Sequence, residues 1–374
     1  MLLCIFMDSA HAQKKKLSFK DSLDKKFDMS DYIIDLHGFI PVPILITEPA
    51  LGGFGGGIAP VFIRKNAPYI DTVNGQVKVT PVSPNITGGV GLYTVNGTWF
   101  TALFKGGTLV KSRIKYRMGI AYANVNIAYY REIPNIGETK FEVNIRTLPV
   151  LASAIKRIGV SHWYSGLQYL FLYSKLKSAG DGQLPSFIKE IEKNSTIGML
   201  SGIIQYDDRD NVFTPDNGIR FNVDGGYANK VFGSDFEFWK INYYNLMYRQ
   251  LTKKIVGGWR IDGQQVFGNA PFYFLPYINM RGIPAERYQG RADILTEFEF
   301  RYDLKDRWSL VAFAGTGKAF DEWSEFGSAQ WVVSGGAGFR YMLARKFKLR
   351  CGVDLARGPD TWAYYIVFGS SWVK

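Results

Sequence analysis

The sequence predicts an all-β protein, a transmembrane antiparallel β-barrel of about 16 strands. Three observations carry that expectation. Apolar and charged residues alternate along many segments, which places one set on each face of a strand. Glycine (40 residues) is abundant together with aromatics (22 Tyr, 27 Phe, 9 Trp), a pairing that suits strands and tight turns. Mean hydropathy is -0.08, and no charge-free apolar run of about 18 residues occurs outside a glycine- and proline-broken stretch near residue 50. Membrane helices are therefore disfavoured. At 374 residues with 21% charged and 16% aromatic side chains, the chain is also not a disordered one.

Taken in order, residues 1–12 read as the end of a secretory signal peptide. Met1–Met7 are almost entirely apolar, and Ala10-His11-Ala12 is a small-x-small cleavage signature; the positive n-region is missing, so the peptide reads as truncated. Residues 13–38 are charged and weakly patterned, which predicts a short, mobile periplasmic lead-in. The barrel is expected over residues 39–374. Candidate strands fall at 52–64, 87–94, 98–105, 113–130, 139–156, 161–177, 195–206, 218–228, 236–250, 255–267, 291–304, 308–316, 330–343, 346–356 and 361–372. Turn chemistry such as Asn96-Gly97 and Pro215-Asp216-Asn217-Gly218 separates them. Bacterial single-chain barrels have even strand numbers, so the weak region 40–48 or 76–80 is expected to supply one more.

The alternation also predicts which face is wet. Ile294, Thr296, Phe298, Phe300, Tyr302 and Leu304 share one face, opposite Glu297, Glu299, Arg301 and Asp303. The same split recurs at 347–355, 219–224 and 113–122, and Trp362, Tyr364, Ile366, Phe368 and Trp372 line one side near the C-terminus. A soluble sandwich alternates too, but here the polar faces carry full charges. Buried in a small soluble barrel these would be costly, whereas a wet lumen tolerates them.

Three segments resemble the BamA/TamA-like outer-membrane assembly barrels, the bacterial surface antigen family. Asp207-Asp208-Arg209-Asp210, with Pro215 and Gly218, is similar to that family's Asp-x-Arg-Asp…Pro-x-x-Gly strand end and turn. Met280-Arg281-Gly282-Ile283 resembles the Val-Arg-Gly-Phe/Tyr tip of a long loop that folds back into the barrel. Phe313-Ala314-Gly315-Thr316-Gly317 resembles the Phe-x-Asp-x-Gly strand that faces that tip. Three candidate strands separate the first two motifs and five follow the loop, as in a sixteen-strand member. The resemblance implies an inward-folded loop anchored through Arg281 and Gly282, with Glu297, Glu299, Phe313 and Gly317 on the inner wall. Gly315 stands where the family has aspartate, so Glu297 or Glu299 is expected to hold the arginine. Only about 25 residues lie between Gln13 and the first barrel-like segment, too few for a POTRA domain, so a reduced form is expected.

The C-terminal run resembles the aromatic-terminated signal by which outer-membrane barrels are recognised, with Tyr364, Phe368, Gly369 and Trp372 as its residues. Gly52–Gly57 lacks the Lys-Ser/Thr of a phosphate loop. Placed in a first strand, it is expected to loosen the seam against the last strand. Asp207, Asp208 and Asp210 lack the remaining ligands and spacing of a calcium loop, and Cys4, Cys351 and three scattered histidines offer no metal site. No Gly-x-Ser-x-Gly elbow or other nucleophile is readable, so no enzyme and no cofactor is expected. The net charge of +12 falls on the faces that the alternation turns inward and on the lead-in rather than on a nucleic-acid platform. Expected partners are outer-membrane lipid and lipopolysaccharide and other outer-membrane or periplasmic proteins, at the bacterial outer membrane. The expected role is protein or lipid assembly or translocation; the alternatives are a passive or gated pore, or a structural subunit of a larger complex.

Overall fold

The computed structural model describes residues 18–35, 39–73, 75–80, 82–133, 137–178, 188, 190–305 and 307–372. The expected signal peptide lies outside these residues. Strands form in chain order at β1 (Phe39–Ile46), β2 (Gly55–Arg64), β3 (Tyr69–Val73), β4 (Gln76–Thr80), β5 (Asn85–Thr94) and β6 (Trp99–Leu109). Then come β7 (Ile114–Ile133), β8 (Gly137–Arg157), β9 (Trp163–Ser178), β10 (Asn194–Asp207), β11 (Gly218–Ala228) and β12 (Phe238–Gln250). The last are β13 (Ile255–Gly268), β14 (Ala292–Lys305), β15 (Trp308–Phe320), β16 (Val332–Ala344), β17 (Leu349–Arg357) and β18 (Trp362–Phe368). Sixteen of them form one antiparallel sheet in sequence order from β1 to β18, a nearly closed barrel, and β3 with β4 forms a separate hairpin. The sixteenth barrel strand is thus 39–46, and 76–80 belongs to the small hairpin.

Side-chain alternation sorts the wall. On β14, Phe298, Phe300, Tyr302 and Leu304 are exposed outward while Glu297 is buried inside. An outward apolar band rich in aromatics with a polar interior is the arrangement a bilayer demands. The interior is filled. The long connection 269–291 enters the barrel from one rim, and Ile278, Met280 and Ile283 pack with Leu295 and Val332. Each such fully buried side chain is worth about 2 kcal/mol, so the tip is a folded part of the core. From the opposite rim the β3–β4 hairpin presents Tyr69 and Asp71 inward, and Asp71 pairs with Arg157 at 2.8 Å and Arg113 at 2.6 Å.

Three expectations are corrected. The glycine run leads into β2, with Gly55–Gly57 in that strand between β1 and β5 and not at the seam; a Cβ on Gly57 would come within 2.3 Å of the Gly91 carbonyl oxygen, so close strand approach excludes a side chain there. The described part of the lead-in is not loose. Asp21, Asp24 and Asp28 surround the buried Arg307 in the β14–β15 turn, and Asp21 also pairs with Arg345 in the β16–β17 turn. The final strand stops at Phe368, because Gly369 takes φ 82 and turns the chain inward. Trp372 is therefore not on the outward face with Phe368; it is 2% exposed, in the lumen against Tyr248.

Candidate functional site: the arginine-locked loop and the open seam

The loop tip is held by charge. Gly282 has φ 85, and a Cβ there would meet the Arg357 backbone at 3.0 Å, so glycine lets the tip lie against the end of β17. Its amide donates to the Tyr365 hydroxyl at 2.9 Å. Beside it, Arg281 donates through Nε and Nη2 to Glu297 Oε1 at 2.9 and 2.8 Å. Its Nη1 reaches Asp354 at 2.7 Å and Glu299 at 2.8 Å, and the guanidinium lies 3.5 Å from the Phe313 ring centre. Arg340 forks onto Asp354 at 2.5 and 2.9 Å, and Arg260 joins Glu297 and Asp262. Three arginines thus share four carboxylates, the dense pairing that buried charges require.

Sequence reasoning named Glu297, Glu299 and Phe313 but missed Asp354, which lies on β17. Gly315 explains the shift. A Cβ on Gly315 would sit 3.0 Å from Met280 Sδ, and one on Gly317 3.3 Å from Ile278, so the loop tip occupies that stretch of wall. The carboxylate is supplied from two strands further round. The only signal for it was the alternation that put Asp354 on an inward face. The tail was missed as well: Ser371 Oγ accepts from Arg281 at 2.9 Å and Arg340 at 3.1 Å, and the Trp372 indole donates to Glu297 at 2.7 Å.

The Asp207–Gly218 segment makes the β10–β11 turn. Arg209 pairs bidentately with Asp207 at 2.9 and 3.1 Å. Asp208 accepts from the Ile219 amide and Asp210 from the amides of Asp216 and Asn217. Pro215 lies between these anchors, and a Cβ on Gly218 would come 2.6 Å from Arg209 Cα. These carboxylates are committed to the turn and its cations.

The second feature is the seam. Among the described residues no backbone ladder joins β1 to β18. One side-chain bond crosses, Thr47 Oγ1 to the Tyr364 carbonyl. The register explains why. Pro41 lies opposite Pro60, and two prolines cannot exchange N–H bonds, so that pair is of the non-hydrogen-bonded kind. The backbone groups of Phe39, Pro41, Pro43 and Leu45 therefore point away from β2, toward the seam. Two of these four positions have no N–H. On the facing edge, the Tyr364 carbonyl points at Thr47, so Trp362, Tyr364, Ile366 and Phe368 all present an amide and a carbonyl. Prolines belong on edge strands for this reason.

Together these features define a class: a nearly closed sixteen-stranded barrel of the outer-membrane type, with an inward loop locked by arginine. Among solved structures the chain is similar to BamA from Haemophilus ducreyi lacking POTRA domains 1 to 3, with TM-score 0.57, 12% identity, 88% of this chain and 69% of that one. It is also similar to CdiB from Escherichia coli, with TM-score 0.57, 11% identity, 87% of this chain and 61% of that one. No family model and no curated protein matches the sequence. At such identity the likeness establishes the shared barrel fold.

Proposed function

We propose that this chain works in the bacterial outer membrane as a non-enzymatic assembly barrel, using the β1–β18 seam to help proteins or lipids enter the bilayer. The unzipped seam is the observation that carries this reading. An edge strand with free amides and carbonyls is a template for another strand, and here the intact edge is β18 while β1 is blunted by Pro41 and Pro43. The filled lumen supports the same reading over a pore, because loop 269–291, the β3–β4 hairpin and the tail all occupy the interior. Outer-membrane lipid and lipopolysaccharide would face the aromatic band, and periplasmic or outer-membrane proteins would meet the rim that carries the lead-in. In this reading Tyr364, Phe368 and Gly369 act in the chain's own recognition as a barrel, while Trp372 locks the loop.

Depletion of the protein tests this. Loss of other outer-membrane barrels or of lipid asymmetry is the expected result. Ion conductance by the purified protein in planar bilayers, without any assembly defect on depletion, would overturn it in favour of a pore. Co-purification at fixed stoichiometry, with neither phenotype, would favour a structural subunit.

A further inference from the structure

We propose that residues 18–35 are a latch that holds the β1–β18 seam shut at its N-terminal rim, in place of the strand pairing that β1 cannot make. The geometry starts from where the segment is gripped. It docks on turns belonging to the β18 side of the barrel, yet its chain continues into β1 on the other side. Arg307, 1% exposed at its side chain, donates to Asp24 and Asp21 at 2.6 Å and to Asp28 at 2.6 Å. It also donates to the carbonyls of Phe27 and Met342 at 3.0 and 3.1 Å. The Met29 amide donates to the Leu343 carbonyl at 2.8 Å, and the Tyr341 hydroxyl to the Phe27 carbonyl at 2.8 Å. Further along, Asp28 accepts from the Arg345 amide at 2.9 Å and Asp31 pairs with Lys346 at 2.6 Å. The described segment ends at Asp35, and Phe39 opens β1.

The contacts are matched in type. A guanidinium has five N–H groups, and Arg307 places its nitrogens on three carboxylates and two carbonyls; charge-assisted bonds of this kind are about twice as strong as neutral ones. A second contact bridges the same gap: Lys65, just past β2, lies 4.5 Å over the ring of Phe347 in the β16–β17 turn. Across the seam proper, among the described residues, the Thr47 bond near the opposite rim is the side-chain hydrogen bond that crosses. The rim contacts therefore carry the closure that a ladder carries elsewhere in the wall.

This latch rests on the seam being the working edge described above. Its test reads the seam directly. In the full-length protein with Cys4 and Cys351 replaced by serine, spin labels at Phe39→Cys and Phe368→Cys report the seam, and labels at Lys156→Cys and Ser165→Cys report the paired β8–β9 wall. Trypsin access at Lys25 and Lys26 reports whether the segment is docked. Arg307→Ala is one perturbation. The combined Asp21→Asn, Asp24→Asn and Asp28→Asn variant is the second, and it leaves every barrel residue intact. Each is expected to expose Lys25 and Lys26 and to lengthen the seam distance by about one strand spacing, about 5 Å, with the β8–β9 distance unchanged. An unchanged seam distance in a protein whose segment has become cleavable overturns the latch. Continued protection after all three carboxylates are neutralised overturns it too. A seam that opens without any change in outer-membrane assembly leaves the latch standing and counts against the assembly reading instead.

Discussion

The β7–β8 hairpin and the β1–β18 seam are built from the same wall and have opposite characters. β7 and β8 run 20 and 21 residues and pair along their whole length, from Ile114 opposite Lys156 to Ile133 opposite Gly137. β1 and β18 have 8 and 7 residues and share no ladder. Neither edge lacks apolar residues, so hydrophobicity does not separate them. Backbone donors do. A sheet in lipid must satisfy every amide internally, and β1 has two positions where no amide exists. The weak place in this barrel is set by proline, with rim and loop contacts holding what strand pairing does not.

The contrast can be broken most severely at the hairpin. Ala123→Pro puts a proline between β6 and β8, where both neighbours pair with this strand. Loss of the folded, heat-modifiable barrel on gels is expected. Ile366→Pro, whose N–H faces the seam, should leave the barrel assembled. Equal loss in both variants would show that the seam is zipped after all.

Next in size is the lock. Arg281→Ala removes one partner from a buried charge network and should cost about 3–5 kcal/mol. Protease cleavage within 269–291 reads the effect, and unchanged resistance would remove Arg281 as the anchor. A smaller effect is expected from repairing the edge. Pro41→Val with Pro43→Val restores two donors, each worth about 1 kcal/mol net if bonded. Slower amide exchange in β18 should follow; unaltered exchange would mean that proline is not what keeps the seam unpaired.

The smallest expected effect is that of pH on the lead-in. Hydrogen bonds from Arg345 hold Asp21 well below the usual carboxylate range, and a hydrogen bond from Arg307 lowers Asp24. Burial raises Asp28, but hydrogen bonds from Ser30, Arg345 and Arg307 outweigh it and leave it lowered. Depressed carboxylates contribute stability that is complete above their unfolded pKa of about 3.9 and is lost as pH falls through the folded values. A spin label at Ser22→Cys should stay immobile from pH 8 to 5 and become mobile only below about pH 4. Release near neutral pH would assign the docking to other groups.

Much of this was legible in the sequence, and the reason is periodic. All fifteen candidate strands exist, because alternation is a local property that survives any register. The turn at Asp207–Gly218 and the loop tip at Arg281 were legible as short motifs. What stayed hidden depends on distant pairing. Asp354 reaches Arg281 only through the order of β14 to β17, and the proline edge becomes meaningful only once Pro41 is known to face Pro60. Trp372 was assigned to the outward face because the alternation carries straight past Gly369, where the backbone turns. The lead-in was read as loose because its order comes from Arg307 and Arg345, more than 270 residues away.

The tail that bends into the lumen has a consequence for the order in which the molecule is made. Arg281 draws its partners from residues 297, 299, 354 and 371, all downstream of it in the chain. A nascent barrel that has acquired the loop but not the last turn of chain holds a guanidinium with its wall unfinished. The full set of partners for Arg281 therefore exists only when the chain is present through residue 371.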